Sequence, residues 1–100
     1  MKIQHQGNTL MASGIAELNA TNSGAFRDET RAALRPSTTR LDLDLSVTTF
    51  MDSSGLGALI ALHKTMTTRG GALRIVNPSS TVGQILELTR LHSVLEIVKA

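Results

Sequence analysis

Leu41-Asp42-Leu43-Asp44-Leu45, and after it Phe50-Met51-Asp52-Ser53-Ser54-Gly55-Leu56-Gly57, carry the plan of the molecule. The first five residues alternate apolar with acidic, which is the period of a strand with one apolar face, and Val47 and Phe50 extend its apolar positions. After Asp52 the period changes. Leu56, Leu59, Ile60 and Met66, widened by Leu62, form the apolar stripe of a helix running from about Ser54 to Thr68. Gly70-Gly71 supplies its stop.

Downstream, Ala72-Leu73-Arg74-Ile75-Val76 reads as the next strand, and Asn77-Pro78-Ser79-Ser80 as a turn into another capped helix. Val82, Ile85, Leu86 and Thr89 mark the buried side of that helix, and Val94 to Val98 is a last strand. Upstream, the cap formers between Asn19 and Ser23 precede a helix from Ala25 to Leu34. Phe26, Thr30, Ala33 and Leu34 share one of its faces, and Asp28 and Glu29 lie early, where the positive end of the dipole favours them. Arg35-Pro36 closes it, because the residue before proline is pushed out of helical geometry. At the start, Ile3 belongs to a short edge strand, Gly7-Asn8 to a tight turn, and Thr9-Leu10-Met11-Ala12 to its hairpin partner. Strands alternating with helices define one α/β domain, residues 1–100, with right-handed crossovers.

Composition narrows the function. Phe26 and Phe50 are the two aromatics, so the core is built from aliphatic side chains, and stacking on nucleobases is nearly excluded; no nucleic-acid partner is expected. The formal charge of +2 is scattered, without a basic run. No cysteine is present, which removes disulfides, thiol nucleophiles and thiolate metal sites together. No apolar run approaches the ~20 residues of a membrane span, and Met1 to Gly7 lacks the apolar core of a signal peptide. A cytoplasmic protein without direct membrane insertion is expected.

Asp52-Ser53-Ser54-Gly55 sits where a strand gives way to a helix, at the sheet edge where α/β folds place their sites. A serine there meets unpaired backbone N–H groups and the positive end of the helix dipole. Ser53 can cap the helix through its hydroxyl, and a cap alone would explain the string. The glycines beside it keep the surface low enough for a partner to approach.

From Leu41 to Val98 the chain resembles the STAS family, and within it the anti-sigma factor antagonists typified by sporulation and general-stress regulators. The resemblance rests on Leu43-Asp44-Leu45-Ser46 with Val47, on Phe50 to Gly57, on Lys64, on Arg69-Gly70-Gly71 and on Leu73-Arg74-Ile75-Val76-Asn77-Pro78. More loosely, Gly14 to Ala20 with Phe26-Arg27 is similar to the segment before the family's first helix. The resemblance implies a mixed sheet of four to five strands with about three to four helices packed on it. It also implies that the unphosphorylated domain binds a GHKL-type anti-sigma factor that is a serine kinase. That partner phosphorylates Ser53 and is released, and a metal-dependent serine phosphatase resets the domain. ATP and Mg²⁺ belong to the kinase, so the chain itself needs no cofactor and no metal.

On this view Ser53 is the acceptor and Ser54 an alternate acceptor or supporting contact. Asp52, Ser53, Ser54, Gly55 and Leu56 form the partner footprint. Asp52 either holds the loop or meets the kinase, and Leu56 suits the footprint or the core equally. Asn19 stands where the family often has aspartate, and the segment from Leu34 to Leu41 is short, so the extent of the footprint stays open. Phosphate adds about −1.5 to −2 charges, which a helix N-terminus tolerates, so the modified domain is expected to keep its fold.

Other features carry less. His63 falls on the apolar face of the central helix and reads as a partly buried packing residue, while His5 and His92 are isolated. Asp42 and Asp44 share one side of their strand as a solvated or helix-facing polar edge. Met51 replaces the first glycine of a hydrolase elbow, and Gly55-Leu56-Gly57 is too short for a dinucleotide fingerprint, so no enzyme is expected. The competing readings are an adaptor subunit of a lipid-transport or other signalling assembly, which would need a docking surface but no phosphorylation, and a small-molecule sensor.

Overall fold

Gly7-Asn8 turns β1 (Lys2–Gln6) back onto β2 (Thr9–Ser13) as an antiparallel hairpin with Gln6 opposite Thr9. The computed structural model describes residues 1–99. From β2 the chain crosses through α1 (Ser23–Ala33) to β4 (Arg40–Asp44), through α2 (Ser53–Thr68) to β6 (Ala72–Val76), and through α3 (Ser80–Leu88) to β7 (Glu96–Val98). Each crossover returns the strand parallel to its neighbour, giving a five-stranded mixed sheet in the order β1-β2-β4-β6-β7. Two short strands, β3 (Glu17–Leu18) and β5 (Phe50–Met51), pair parallel as a separate ribbon. A 3₁₀ turn at Leu91–Ser93 precedes β7, so the last strand is shorter than its apolar pattern suggests.

Alternation decides which face is the core. Leu41, Leu43 and Leu45 are fully buried with Leu10, Ala12, Leu73 and Ile75 from the neighbouring strands. Phe26, Leu59, Leu62, Met66, Val82 and Leu86 meet them from the helices in one cluster. Full burial of such a side chain contributes about 1.5–3 kcal/mol, so this layer dominates stability. The crossover helices end by local chemistry. In α2, Gly70 adopts φ +75°, its N–H donates to Thr67 O at 3.0 Å, and Gly71 N–H reaches back to Met66 O at 2.9 Å. That pair of bonds satisfies the last carbonyls of the helix.

Several sequence expectations need correction. Asp42 is not a solvated edge: it is buried, and Arg74 of the adjacent strand donates to both its oxygens at 2.9 and 2.8 Å. Strand pairing places Met11, Asp42, Arg74 and Glu96 in one row across the sheet, so opposite charges fall side by side. The hydrogen bond to Asp42 raises the Arg74 guanidinium above its ordinary value. Asp28 and Glu29 are not in the first turn of α1, because the helix begins at Ser23, and they lie beyond the reach of the dipole. Within α1, Phe26 and Thr30 are buried and Ala33 is half-buried, while Leu34, half-buried too, is already extended and lies just past the helix end. Ile60 and Thr89, assigned to buried stripes, are exposed; Gly55, Ala58, Leu59, Leu62 and Met66 make the buried side of α2 instead. His63 is partly buried, as the pattern predicts.

Candidate functional site

The site is the junction between β5 and α2. Asp52, not Ser53, caps the helix: its backbone is extended and its Oδ1 accepts from Gly55 N–H at 3.1 Å. Its Oδ2 accepts from Ala20 N–H at 3.1 Å, and its own N–H donates to Leu18 O at 3.1 Å. One carboxylate thus fastens the start of α2 to the loop that leads into α1. This corrects the expected hydroxyl cap, and the reason is geometric: the first residue with helical backbone is Ser53, one position past the cap.

Relieved of capping, Ser53 is exposed, and its hydroxyl has no hydrogen-bond partner among the described residues. Ser54 is half-buried. Gly55, expected in the partner footprint, is buried and faces inward: a Cβ there would lie 2.5 Å from Leu18 O and 2.8 Å from Leu18 Cβ. The glycine therefore lets α2 press against β3, whereas Gly57, two residues on and on the opposite side of the helix, is open to solvent. Leu56 is half-buried and packs against the core.

Sequence reasoning missed the apolar surroundings. Val47, Phe50 and Ile60 are 54%, 48% and 45% exposed. They are three of the six large hydrophobics exposed among the described residues, and the only three in the middle of the chain; the others are Met1, Leu88 and Val94. Phe50 lies three residues before Ser53 and Ile60 seven residues after it. On α2 itself, helical spacing places Ser53, Leu56, Gly57, Ile60 and Lys64 on a common side.

The loop presenting Val47 and Phe50 is held from beneath. Thr48 is fully buried, and its hydroxyl donates to Ile15 O at 2.6 Å. Its carbonyl accepts from Ser79 Oγ at 2.5 Å, and Thr49 N–H donates to Ala16 O at 2.9 Å. Beside Asp52, the loop before α1 is knotted by asparagines: Asn19 N–H donates to Asn22 Oδ1 at 2.9 Å, Thr21 N–H to Asn19 Oδ1 at 2.9 Å, and Asn22 Nδ2 to Glu17 O at 2.7 Å. The run of Asn19 to Ser23 gave a signal for this turn chemistry; nothing in the sequence marked Thr48. Among the described residues no three His, Asp or Glu side chains gather as a metal site, and no helix is long and apolar enough to cross a membrane.

A five-stranded mixed sheet joined by crossover helices defines the domain class, and the STAS domain family model matches residues 1–100. The chain belongs to the STAS-domain family. A relative, the anti-sigma F factor antagonist of Paenibacillus polymyxa, is 26% identical over 98 residues, covering 97% of this chain and 84% of that protein. Among solved structures, a candidate anti-sigma factor antagonist of Thermotoga maritima superposes with a TM-score of 0.86 at 24% identity, over 99% of this chain and 86% of that one. The Bacillus cell-fate determinant SpoIIAA superposes in its unphosphorylated form with a TM-score of 0.83 at 20% identity, over 99% and 86% of the two chains. Its phosphorylated form gives 0.78 at 20% identity, over 99% and 89%. The fold also forms 15% of the murine Slc26a9 anion transporter (TM-score 0.70, 24% identity, 90% of this chain), so the fold by itself does not choose a function.

Proposed function

We propose that this chain is an anti-sigma factor antagonist that works by partner switching, a cytoplasmic binding domain and not an enzyme. The observation that carries the reading is the Ser53 hydroxyl, exposed and unpartnered on the first residue of α2, in the same stretch of chain as the exposed side chains of Val47, Phe50 and Ile60. In the unmodified state this ledge binds a GHKL-type anti-sigma factor that is also a serine kinase. Covering the apolar side chains supplies the affinity, and Asp52 holds the ledge in shape. The kinase, with its own ATP and Mg²⁺, moves the γ-phosphoryl group to Ser53 Oγ; the serine proton leaves, and ADP departs. The new charge is tolerated by the helix start but not within a dry interface, so the partner is released. A metal-dependent serine phosphatase hydrolyses the Oγ–P bond and resets the domain. Ser54, half-buried, is the less accessible acceptor.

Three baits test this in lysate of the cells that make the protein: the wild-type chain, Ser53→Ala and Ser53→Asp. A GHKL-type kinase retained by the first two and lost from the third, with ATP-dependent phosphate mapped to Ser53, is the expected result. Retention of the same transport or membrane proteins by all three would sink the switch and favour the adaptor.

A further inference from the structure

An open cleft of about 360 Å³ lies between the segment Gly14 to Leu18 and the side of α1 that carries Asn22, Phe26 and Glu29, with Met1 also lining it. Its floor is apolar, with Ile15, Leu18 and Phe26 at its base. Glu17 stands on one wall and Glu29 on the other, both exposed. Among the described residues neither carboxylate has an ion-pair partner; Glu17 receives only Asn19 Nδ2 at 3.4 Å. In a chain of net charge +2, an apolar trough with two carboxylates that lack ion-pair partners is matched to one kind of occupant. That occupant has an aliphatic stem to cover the floor and a delocalised cation to lie between two acids. Arginine combines these, because its stem packs on apolar surface while the guanidinium bridges carboxylates in a fixed fork.

We propose that this cleft receives an arginine side chain of the protein partner, a second foothold next to the Ser53 ledge. Position supports a single continuous surface: Glu17 pairs in register with Phe50, and the Asp52 carboxylate joins the two regions through Ala20. The inference rests on the proposed reading that this side of the molecule meets a protein, but its test needs no partner.

The test titrates the isotope-labelled full chain with N-acetyl-arginine amide and with its uncharged isostere, N-acetyl-citrulline amide, following backbone amides by NMR. Saturable shifts confined to residues 15–18 and 22–29, about fivefold tighter for arginine as two exposed ion pairs allow, are the expected result. The double variant Glu17→Gln/Glu29→Gln should lose that preference. Glu87→Gln, whose carboxylate lies away from the cleft, should retain it, as should Ser53→Asp. Absence of saturable shifts, equal binding of the two compounds, or a preference that survives the double variant would each overturn the proposal. A bait experiment that fails while the titration succeeds counts against the phosphorylation switch and leaves the arginine cleft standing.

Discussion

All three α-helices among the described residues begin on a serine (Ser23, Ser53 and Ser80), yet the proposed switch falls on only one of these starts, and α2 and α3 differ in what surrounds that serine. Ser53 and Ser80 are both exposed first residues of crossover helices, each following a capping side chain that accepts a backbone N–H. In α3 the cap is Ser79, whose hydroxyl also donates to the Thr48 carbonyl beneath the neighbouring loop. Around Ser80 lie Pro78, Gly83, Gln84, Glu87, His92, Ile97 and Lys99, none of them an exposed large hydrophobic. In α2 the cap is a carboxylate fastened to a second loop, and the surroundings are apolar and exposed. A helix start offers anion tolerance anywhere it occurs; exposed apolar residues in the flanking sequence are what set the α2 start apart. Ser23 shows the third outcome, a buried first residue open to no partner.

The comparison breaks hardest at the glycines of the first turns. Gly55→Ala drives a Cβ into the backbone of Leu18, so α2 and β3 must separate, and a loss of about 3 kcal/mol is expected, lowering the melting midpoint by roughly 15 °C. Gly83→Ala in α3 meets nothing within 4 Å and should raise stability by up to about 1 kcal/mol. Chemical denaturation of the two variants reads both signs. Equal effects would mean that α2 is not pressed against β3.

Next in size is an effect on binding. Phe50→Ser should leave the fold within about 0.5 kcal/mol, since the ring is half exposed, and weaken retention of the kinase by about 2 kcal/mol, near thirtyfold. Leu88→Ser near the end of α3, at a side chain 84% exposed, should change neither. Calorimetry or surface binding with the captured kinase decides it. Comparable losses from the two variants would remove the privilege given to the α2 ledge.

Asp52→Ala should cost about 1.5 kcal/mol, because a cap and the tie to Ala20 go together, and Asp52→Ser should recover the cap but not the tie. Ser79→Ala should cost about 1 kcal/mol for its cap and the bond to Thr48. Hydrogen exchange sharpens the difference: the amide of Ala20 should lose protection in both Asp52 variants and in neither Ser79→Ala nor wild type.

These contrasts also measure what a sequence displays. The period of Leu41, Leu43 and Leu45 foretold full burial because every second residue of a strand faces the same way. The same counting failed at Val47, Phe50 and Ile60, since an apolar side chain in the right rhythm gives no sign of whether a neighbouring element covers it. Asp42 failed in the opposite sense: alternation marked it polar, but its burial depends on Arg74 arriving from a strand 32 residues away. The acidic serine turn itself was legible, down to its place between strand and helix. The choice of cap was not, because it turns on a one-residue shift of the helix start, within the usual uncertainty of boundaries.

The smallest expected effect is the most pointed. Ser53→Asp and Ser80→Asp each place a carboxylate on the first residue of a helix, where the dipole favours it by about 0.3–1 kcal/mol. In α2 the neighbouring Asp52 is already charged and repels the newcomer, so the gain there should shrink toward zero, while Ser80→Asp keeps it. Thermal melts at low salt should therefore show a small rise for Ser80→Asp and almost none for Ser53→Asp, with both far-UV spectra unchanged. Added salt should erase the difference. A phosphate on Ser53 meets the same balance with more charge, so it too should leave the fold standing. A melt of Ser53→Asp that fell by several degrees would mean that the charge acts by loosening α2, and release of the partner would then come from within the domain instead of from the interface.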